Sequence, residues 1–367
     1  MTDPLDAAIA DAEDRVIVMW RGEQIGLAHV PERIARIDQR AARELLYGSY
    51  VEALETLNPI YAQRLATWVA AGDPATRVSP DPIAFASGIE PFQRESETPY
   101  YAALRRYLAL VGIEQGDATE ADLWHVLRGV SWSHWFGVRE VARAVAATGR
   151  GTGGAIDPLD GWRSAERQLR GATVGKAPLV GDAIGHAYAT LVGSPEWLAA
   201  ELHVTRDDIG QFVDYAAFVR LWRLRRGAAL LTYEQRLYAT DDPALQRAYY
   251  AGLVGHLTGV AVAEAGYLAN VPSPYASATE LQVAVLGAMI VERLERDHGP
   301  RWWTDPAAAS VMTRLANAPT LADVLAELGY DHLDWAPVLR QIRTRLIGEM
   351  SGYGGPNITT RAGSRKV

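Results

Sequence analysis

Hydrophobic and polar positions along most of this chain repeat with the period of an α-helix. Apolar residues recur at three- and four-residue spacing from Pro31 to Leu46, and a second helix is predicted from Pro59 to Ala71. The long segment from Asp207 to Tyr238 has a broad apolar face with arginines opposite. Two short β-type runs around a glycine-containing turn occur from Arg15 to Val30. The pattern predicts a mainly α-helical fold with a small N-terminal β-hairpin.

Helix start signals are frequent in the second half of the chain. Each signal is either a side chain that can accept a hydrogen bond from the unpaired amides of the first turn or a proline, which has no amide hydrogen to satisfy. They occur at Asp182, Ser194-Pro195, Thr205, Ser277, Asp305-Pro306 and Thr320. In the first half, the predicted helices are Tyr100 to Leu110, Ala121 to Leu127 and Val138 to Ala147. The region from Gly72 to Glu97, rich in Pro, Ser and Asp, is predicted to be a loop.

Glycine-rich stretches indicate how the chain is divided. The strongest break, Gly149 to Gly161, matches the GxGxxG dinucleotide fingerprint, but neither a preceding strand nor a βαβ unit supports that interpretation. We therefore predict a hairpin and helical part over 1–148, a connection over 149–178 and a second helical part over 179–350. The tail over 351–367 is predicted to be mobile because it has nothing to bury.

Composition narrows the classes of function. The net charge of -8 and the lack of a basic block argue against a nucleic-acid partner. All positive charges except Lys176 and Lys366 are arginines, which we interpret as compositional bias. The absence of cysteine excludes thiolate chemistry and Cys-ligated metals. Without a signal peptide or an apolar run of roughly 18 residues, the chain is expected to be cytoplasmic and to have no membrane partner.

Asp182 and His186 stand out within LVGDAIGHAYATL because they lie four residues apart. On a helix they share a face, so the carboxylate could orient the imidazole in a catalytic dyad. Alternatively, Asp182 is an N-cap and His186 is kept neutral in the first turn by the positive end of the helix. A metal site is a third interpretation. Since no two of the eight histidines are three or four residues apart, we expect no metal and no cofactor.

Several segments, in order, resemble the oligoendopeptidase-like branch of the thimet-oligopeptidase class of zinc metallopeptidases. The clearest matches are Gly181-Asp182, the SPEWL run from Ser194 to Leu198, and Leu224-Arg225-Arg226. A more diffuse similarity extends from Arg43 to Ile342. The resemblance implies a multi-helix bowl around a central cleft.

The catalytic residues of that class are not matched. Its His-Glu-x-x-His helix would lie between Val145 and Leu179, where this chain has only the glycine-rich connection and WRSAERQLRGATVGKAPL, so we infer a deletion. The resemblance places the third zinc ligand, a glutamate in the family, at His186. The family's substrate-stabilising Tyr and Arg fall in the segment resembling Tyr275 to Ala284, at Ala276, Glu280 and Gln282.

Loss of ligands, base and electrophilic groups together removes water activation and oxyanion stabilisation. We therefore expect a catalytically inactive, metallopeptidase-like scaffold that binds a peptide or protein partner. Its candidate cleft residues are Asp182, His186, Tyr188 and Tyr275. The alternatives are an enzyme of different chemistry that uses Asp182 and His186, a residual peptidase with an atypical metal site, and a structural subunit with a filled cleft. The oligomeric state is not predicted.

Overall fold

The computed structural model of the protein describes residues 4–78, 80–128, 135–149, 161–171 and 177–346. It is a mainly α-helical bowl with one β-hairpin, which confirms the predicted fold class. The elements in chain order are α1 (Pro4–Arg15), β1 (Ile17–Trp20), β2 (Glu23–Gly26), α2 (Val30–Ala35), α3 (Arg40–Ala70), α4 (Pro82–Ala86), α5 (Ile89–Leu110), α6 (Glu120–Val126), α7 (Val138–Ala147), α8 (Gly161–Arg170), α9 (Pro178–Ala189), α10 (Pro195–Glu201), α11 (Arg206–Tyr238), α12 (Arg247–Thr258), α13 (Ala276–His298), α14 (Pro306–Asn317), α15 (Leu321–Leu328) and α16 (Ala336–Arg343). No described helix is both long and apolar enough to cross a bilayer.

Two predicted boundaries near the N-terminus are wrong. The helix predicted from Pro31 to Leu46 is broken, because the buried Arg43 guanidinium donates to the carbonyls of Ile37 and Asp38 at 2.9 and 2.8 Å and so stabilises a break there. Beyond the break, α3 continues through Pro59 without ending. A proline inside a helix removes one backbone donor and crowds the preceding turn, and burial of Leu57, Tyr61 and Leu65 around Pro59 offsets that cost.

The region predicted as a loop from Gly72 to Glu97 is largely helical. Asp81 accepts a hydrogen bond from the Ile83 backbone amide at 2.8 Å, and with Pro82 in the first turn it starts α4. Ile89 and Phe92 are buried in the core and so hold the first turns of α5 in place. In this region Asp and Pro mark the starts of helices rather than a loop, and burial of apolar side chains stabilises these helices.

Helix α8 lies inside the segment predicted as a connection over 149–178. Residues 150–160 and 172–176, and the tail over 351–367, lie outside the described residues. The division into parts and the deletion inferred between Val145 and Leu179 therefore both stay predictions, although α8 occupies part of that interval.

Helix α9 lies unusually close to its two neighbours. A Cβ atom on Gly185 would stand 2.7 Å from the carbonyl oxygen of Arg170 at the end of α8. On α13, a Cβ atom on Gly287 would stand 2.9 Å from the His186 ring and 3.1 Å from the Ala183 carbonyl oxygen. Contacts this short leave no room for a side chain. The two glycines therefore set the position of α9 and of the imidazole that it carries.

We predict that Gly287→Ala lowers the free energy of unfolding by about 1 to 3 kcal/mol, because the added methyl group forces α9 and α13 apart. The control is Gly210→Ala in α11, where nothing lies within 4 Å of the new Cβ atom. Relief of the glycine's helix penalty should stabilise that variant by about 0.5 to 1 kcal/mol. Urea unfolding measures both values, and equal stability of the two variants would contradict the close-packing argument.

Candidate functional site

A cavity of about 490 Å³ opens between α8, α9, α11, α13 and the end of α16. Its volume is within the range of small-molecule sites. Each of these elements contributes charge to the lining, and the charged and titratable residues are Glu166, Arg170, Asp182, His186, Arg220, Arg223, Glu280 and Arg345. The cavity is therefore an open space within a helical bowl, in which charged groups stand on a mainly apolar lining.

The cavity brings together Asp182 and His186, two of the four predicted site residues. Their four-residue spacing on α9 does place both on one face, as predicted. The capping interpretation is wrong, because α9 begins at Pro178 with Ala177 as its N-cap. His186 lies in the last turn of the helix, so the positive end of the helix is too distant to keep its imidazole neutral.

The surroundings of His186 keep its imidazole neutral. Arg170 Nη2 donates to Nδ1 at 3.4 Å, and since a guanidinium only donates, the ring proton is assigned to Nε2. Nε2 is buried and has no hydrogen-bond partner among the described residues. Burial first, and then the charges of Arg220, Arg170 and Arg223, hold the pKa of His186 well below its usual value.

Arg220 is only partly satisfied. Its Nη1 donates to Gln341 Oε1 at 3.0 Å, while Nε and Nη2 are buried without partners in the part of the chain that the structure describes. Burial, together with the charge of Arg345, lowers the pKa of Arg220 to about 9. Two guanidinium groups thus repel each other across this side of the cavity.

Arg345 and Arg223 have different surroundings. Burial lowers the pKa of Arg345, although Glu295 and Glu196 act in the opposite direction, and no carboxylate of the described residues lies within 4 Å of its guanidinium. Arg223 instead donates to Glu166 Oε1 at 2.7 Å. Burial works against ionisation of Glu166, but Arg223 outweighs it and lowers the pKa of that carboxyl. Arg220 and Arg345 are therefore the cavity arginines that have no carboxylate within 4 Å among the described residues, although Glu295 acts on both from a greater distance.

Tyr188 and Tyr275 do not line this cavity. The buried Tyr188 packs on Trp302, with ring centroids 5.2 Å apart. Tyr275 precedes α13 with a φ of 52°, and its ring lies 5.0 Å from that of Tyr238. The Tyr238 hydroxyl donates to the fully buried Glu234 at 3.4 Å. Burial raises the pKa of Glu234 to about 7.

Arginines were the residues that sequence reasoning missed. Their abundance was interpreted as compositional bias, yet Arg225 is 1% exposed and donates to the Leu257 carbonyl and Ser96 hydroxyl at 2.9 and 2.8 Å. Four more arginines line the cavity. On α8, Glu166 and Arg170 have the same four-residue spacing as Asp182 and His186, and this was the signal available in the sequence.

The three residues that the sequence resemblance places at substrate-stabilising positions have separate surroundings. Gln282 is fully buried, and its Nε2 donates to the Pro80 carbonyl at 3.0 Å, so its contact is structural. Glu280 is exposed on the cavity lining. Ala276 is the first residue of α13 and offers no polar group. None of them supplies a cationic or hydroxyl group to the cavity.

The described residues do not fit a zinc ion. No three His, Asp or Glu side chains among them converge closely enough to hold a metal, and His134 lies outside the described residues. Among the described residues, His186 is the one imidazole on the cavity lining, and Arg170, Arg220 and Arg223 add charge that repels a dication. The cavity as described favours an anion over a metal cation.

Comparison with known proteins identifies a solved structure with a similar fold. No protein-family model and no curated protein matches the chain. Among solved structures, the crystal structure of oligoendopeptidase-F from Enterococcus faecium is similar, with a TM-score of 0.64 over 94% of this chain and 71% of that one. The two sequences are 13% identical. The likeness therefore shows that the chain has a peptidase-like fold, and it shows the fold alone.

We predict that His186 makes stability fall as the pH drops below 6.5. In the unfolded chain the imidazole takes up a proton near that value, whereas the lowered pKa prevents uptake in the folded chain. The variant His186→Gln should lose this part of the pH dependence. Urea unfolding of both proteins from mildly alkaline to mildly acidic pH measures it, and parallel profiles would contradict the prediction.

Glu234 should act in the opposite direction. Its folded-state pKa of about 7 exceeds its ordinary value of 4.5, so the folded chain binds the extra proton and stability falls as the pH rises between those values. The loss is on the order of 3 kcal/mol. Glu234→Gln should flatten this slope, as measured by unfolding at a series of pH values. A variant with an unchanged slope would show that Glu234 ionises freely in the folded protein.

Proposed function

We propose that this chain is a non-catalytic, peptidase-like binding protein whose cavity receives a peptide. One observation carries the proposal: an open cavity beside His186 is lined by arginines, and no group of metal ligands converges on it among the described residues. An oligoendopeptidase, as its name states, acts on peptides, and this chain shares the fold of one. A retained cleft with altered chemistry fits recognition of such a ligand without its cleavage.

The state of His186 argues against the second candidate, an enzyme that uses Asp182 and His186. A general base works best when its pKa is near the working pH. The pKa of His186 lies well below its usual value, and its Nδ1 already accepts a hydrogen bond from Arg170. An imidazole with so low a pKa is a poor general base for proton abstraction.

The proposal also includes a cytoplasmic location and no nucleic-acid partner. The acidic net charge supports the second point, because phosphate backbones bind cationic surfaces. The arginines of the cavity are enclosed by helices and do not form an extended basic face.

The test measures zinc content, peptide cleavage and peptide binding on one preparation of the full chain. We expect less than stoichiometric zinc by elemental mass spectrometry, no cleavage of a mixed peptide library by product analysis, and retention of a subset of its peptides. His186→Ala should leave the absence of cleavage unchanged.

Three results would overturn the proposal. One equivalent of zinc with turnover would indicate a residual peptidase. Turnover that is independent of metal but lost in His186→Ala would support the second candidate. Failure to retain any peptide, with no turnover, would leave a structural role.

A further inference from the structure

We infer that the ligand of this cavity carries a carboxylate, which Arg220 and Arg345 bind together. This inference rests on the proposed function and deepens it, because it assigns the chemical class of the group that anchors the peptide. It comes from the geometry of one guanidinium, from the charges of the lining and from the partners already taken by the other arginines.

The unpartnered edge of Arg220 matches a carboxylate. Nη1 donates to Gln341. The remaining donors, Nε and Nη2, lie along one edge of the planar guanidinium group and have no partners among the described residues. Two parallel donors on one edge fit the two oxygens of a carboxylate in a bidentate pair. Both donors are buried beneath the lining surface, so the guanidinium must turn toward the cavity to meet a ligand. Burying donors without acceptors is costly, so a ligand that satisfies both removes that cost.

The charges favour a monoanion. The described lining has four arginines against the three carboxylates Glu166, Asp182 and Glu280, with His186 neutral, so its formal charge is one positive. A carboxylate neutralises one charge, whereas a dianionic phosphate would reverse the balance. The anion would also relieve the repulsion between Arg220 and Arg345.

Two of the cavity arginines already have partners at hydrogen-bond distance. Arg223 donates to Glu166 at 2.7 Å, and Arg170 donates to His186 Nδ1 at 3.4 Å. Arg345 lines the cavity and has no ion pair among the described residues, and its Nη1 lies 3.7 Å from the position of a Cβ atom on Gly193. Arg345 is thus the guanidinium that an entering carboxylate meets together with Arg220.

The remainder of the ligand meets an apolar surface. Trp162, Val219, Leu281 and Ile342 belong to the same lining. A carboxylate attached to a short apolar body, as at the C-terminus of a peptide, fits this combination. An Asp or Glu side chain presents the same group, and the experiment separates the two sources.

The experiment titrates the full chain with four probes by calorimetry at neutral pH and low ionic strength. These are N-acetyl-trialanine with a free carboxylate, its C-terminal amide, the amide of N-acetyl-Ala-Glu-Ala, and benzoate, and inorganic phosphate is titrated in parallel as a comparison anion. We expect the free acid to bind at least about tenfold more tightly than its amide, as loss of a charged hydrogen-bonding group predicts. Tighter binding of the Glu-containing amide than of the free acid would assign the carboxylate to a side chain.

Variants then test the two arginines. Arg345→Gln and Arg220→Gln should each weaken binding of the tighter carboxylate probe by about tenfold or more. Arg220→Lys should weaken it as well, because an ammonium keeps the charge but loses the paired donors. The control is Arg314→Gln, since Arg314 pairs with Glu327 outside the cavity and should leave binding unchanged. Thermal unfolding shows whether each variant is folded. If the Arg220 variants do not fold, binding by Arg345→Gln alone tests the inference.

The outcomes separate this inference from the proposed function. If both trialanine probes bind equally, peptide binding stands and the carboxylate assignment is wrong. If benzoate binds through Arg345 but no peptide binds, the carboxylate site stands and the peptide proposal fails. Tighter, Arg345-dependent binding of inorganic phosphate than of any carboxylate probe would overturn the monoanion assignment.

Discussion

The close approach of α9 to α8 and α13 is the constraint on which the site depends. Side chains on a helix normally hold its neighbours 8 to 10 Å away, axis to axis. Gly185 and Gly287 remove that spacing at the two contacts, so that a carbonyl oxygen and an imidazole ring occupy the space of missing methyl groups. Asp182 and His186 are then presented to the cavity by a helix with almost no freedom to shift.

Electrostatics explains why this cavity differs in kind from a metal site. A zinc centre needs several lone pairs directed at one point, and it tolerates little additional positive charge nearby. Here one imidazole faces guanidinium groups on α8 and α11, and burial first, followed by these positive charges, lowers its pKa. The same surroundings attract an oxyanion. A change in the lining therefore changes the class of ligand while the fold remains peptidase-like.

The amino-acid pattern predicts much of this fold for identifiable reasons. Helix α7 agrees with its predicted bounds, and α11 differs by one residue, because their apolar stripes are regular. The shared face of Asp182 and His186 follows from spacing alone. Unlike Arg170, Arg220 and Arg223 could not be found in this way, because an arginine facing solvent and one facing an enclosed cavity produce the same polar position in a helical pattern. Arg345 reaches the site only through the packing of α16, which is a tertiary effect.

The length of α11 has a consequence for how the molecule unfolds. The buried apolar side chains of α11 from Ile209 to Ala228, together with Leu231, belong to the main core. Ala229, Leu230, Tyr233 and Leu237 belong to a second core that also includes α3 and α12. One continuous helix therefore has a share in both cores, with Arg220 and Arg223 in its middle. Local unfolding of either core exposes part of α11, so the local unfolding equilibria of the two cores are thermodynamically linked. A ligand that immobilises the middle of this helix would slow hydrogen exchange far beyond the residues that it touches.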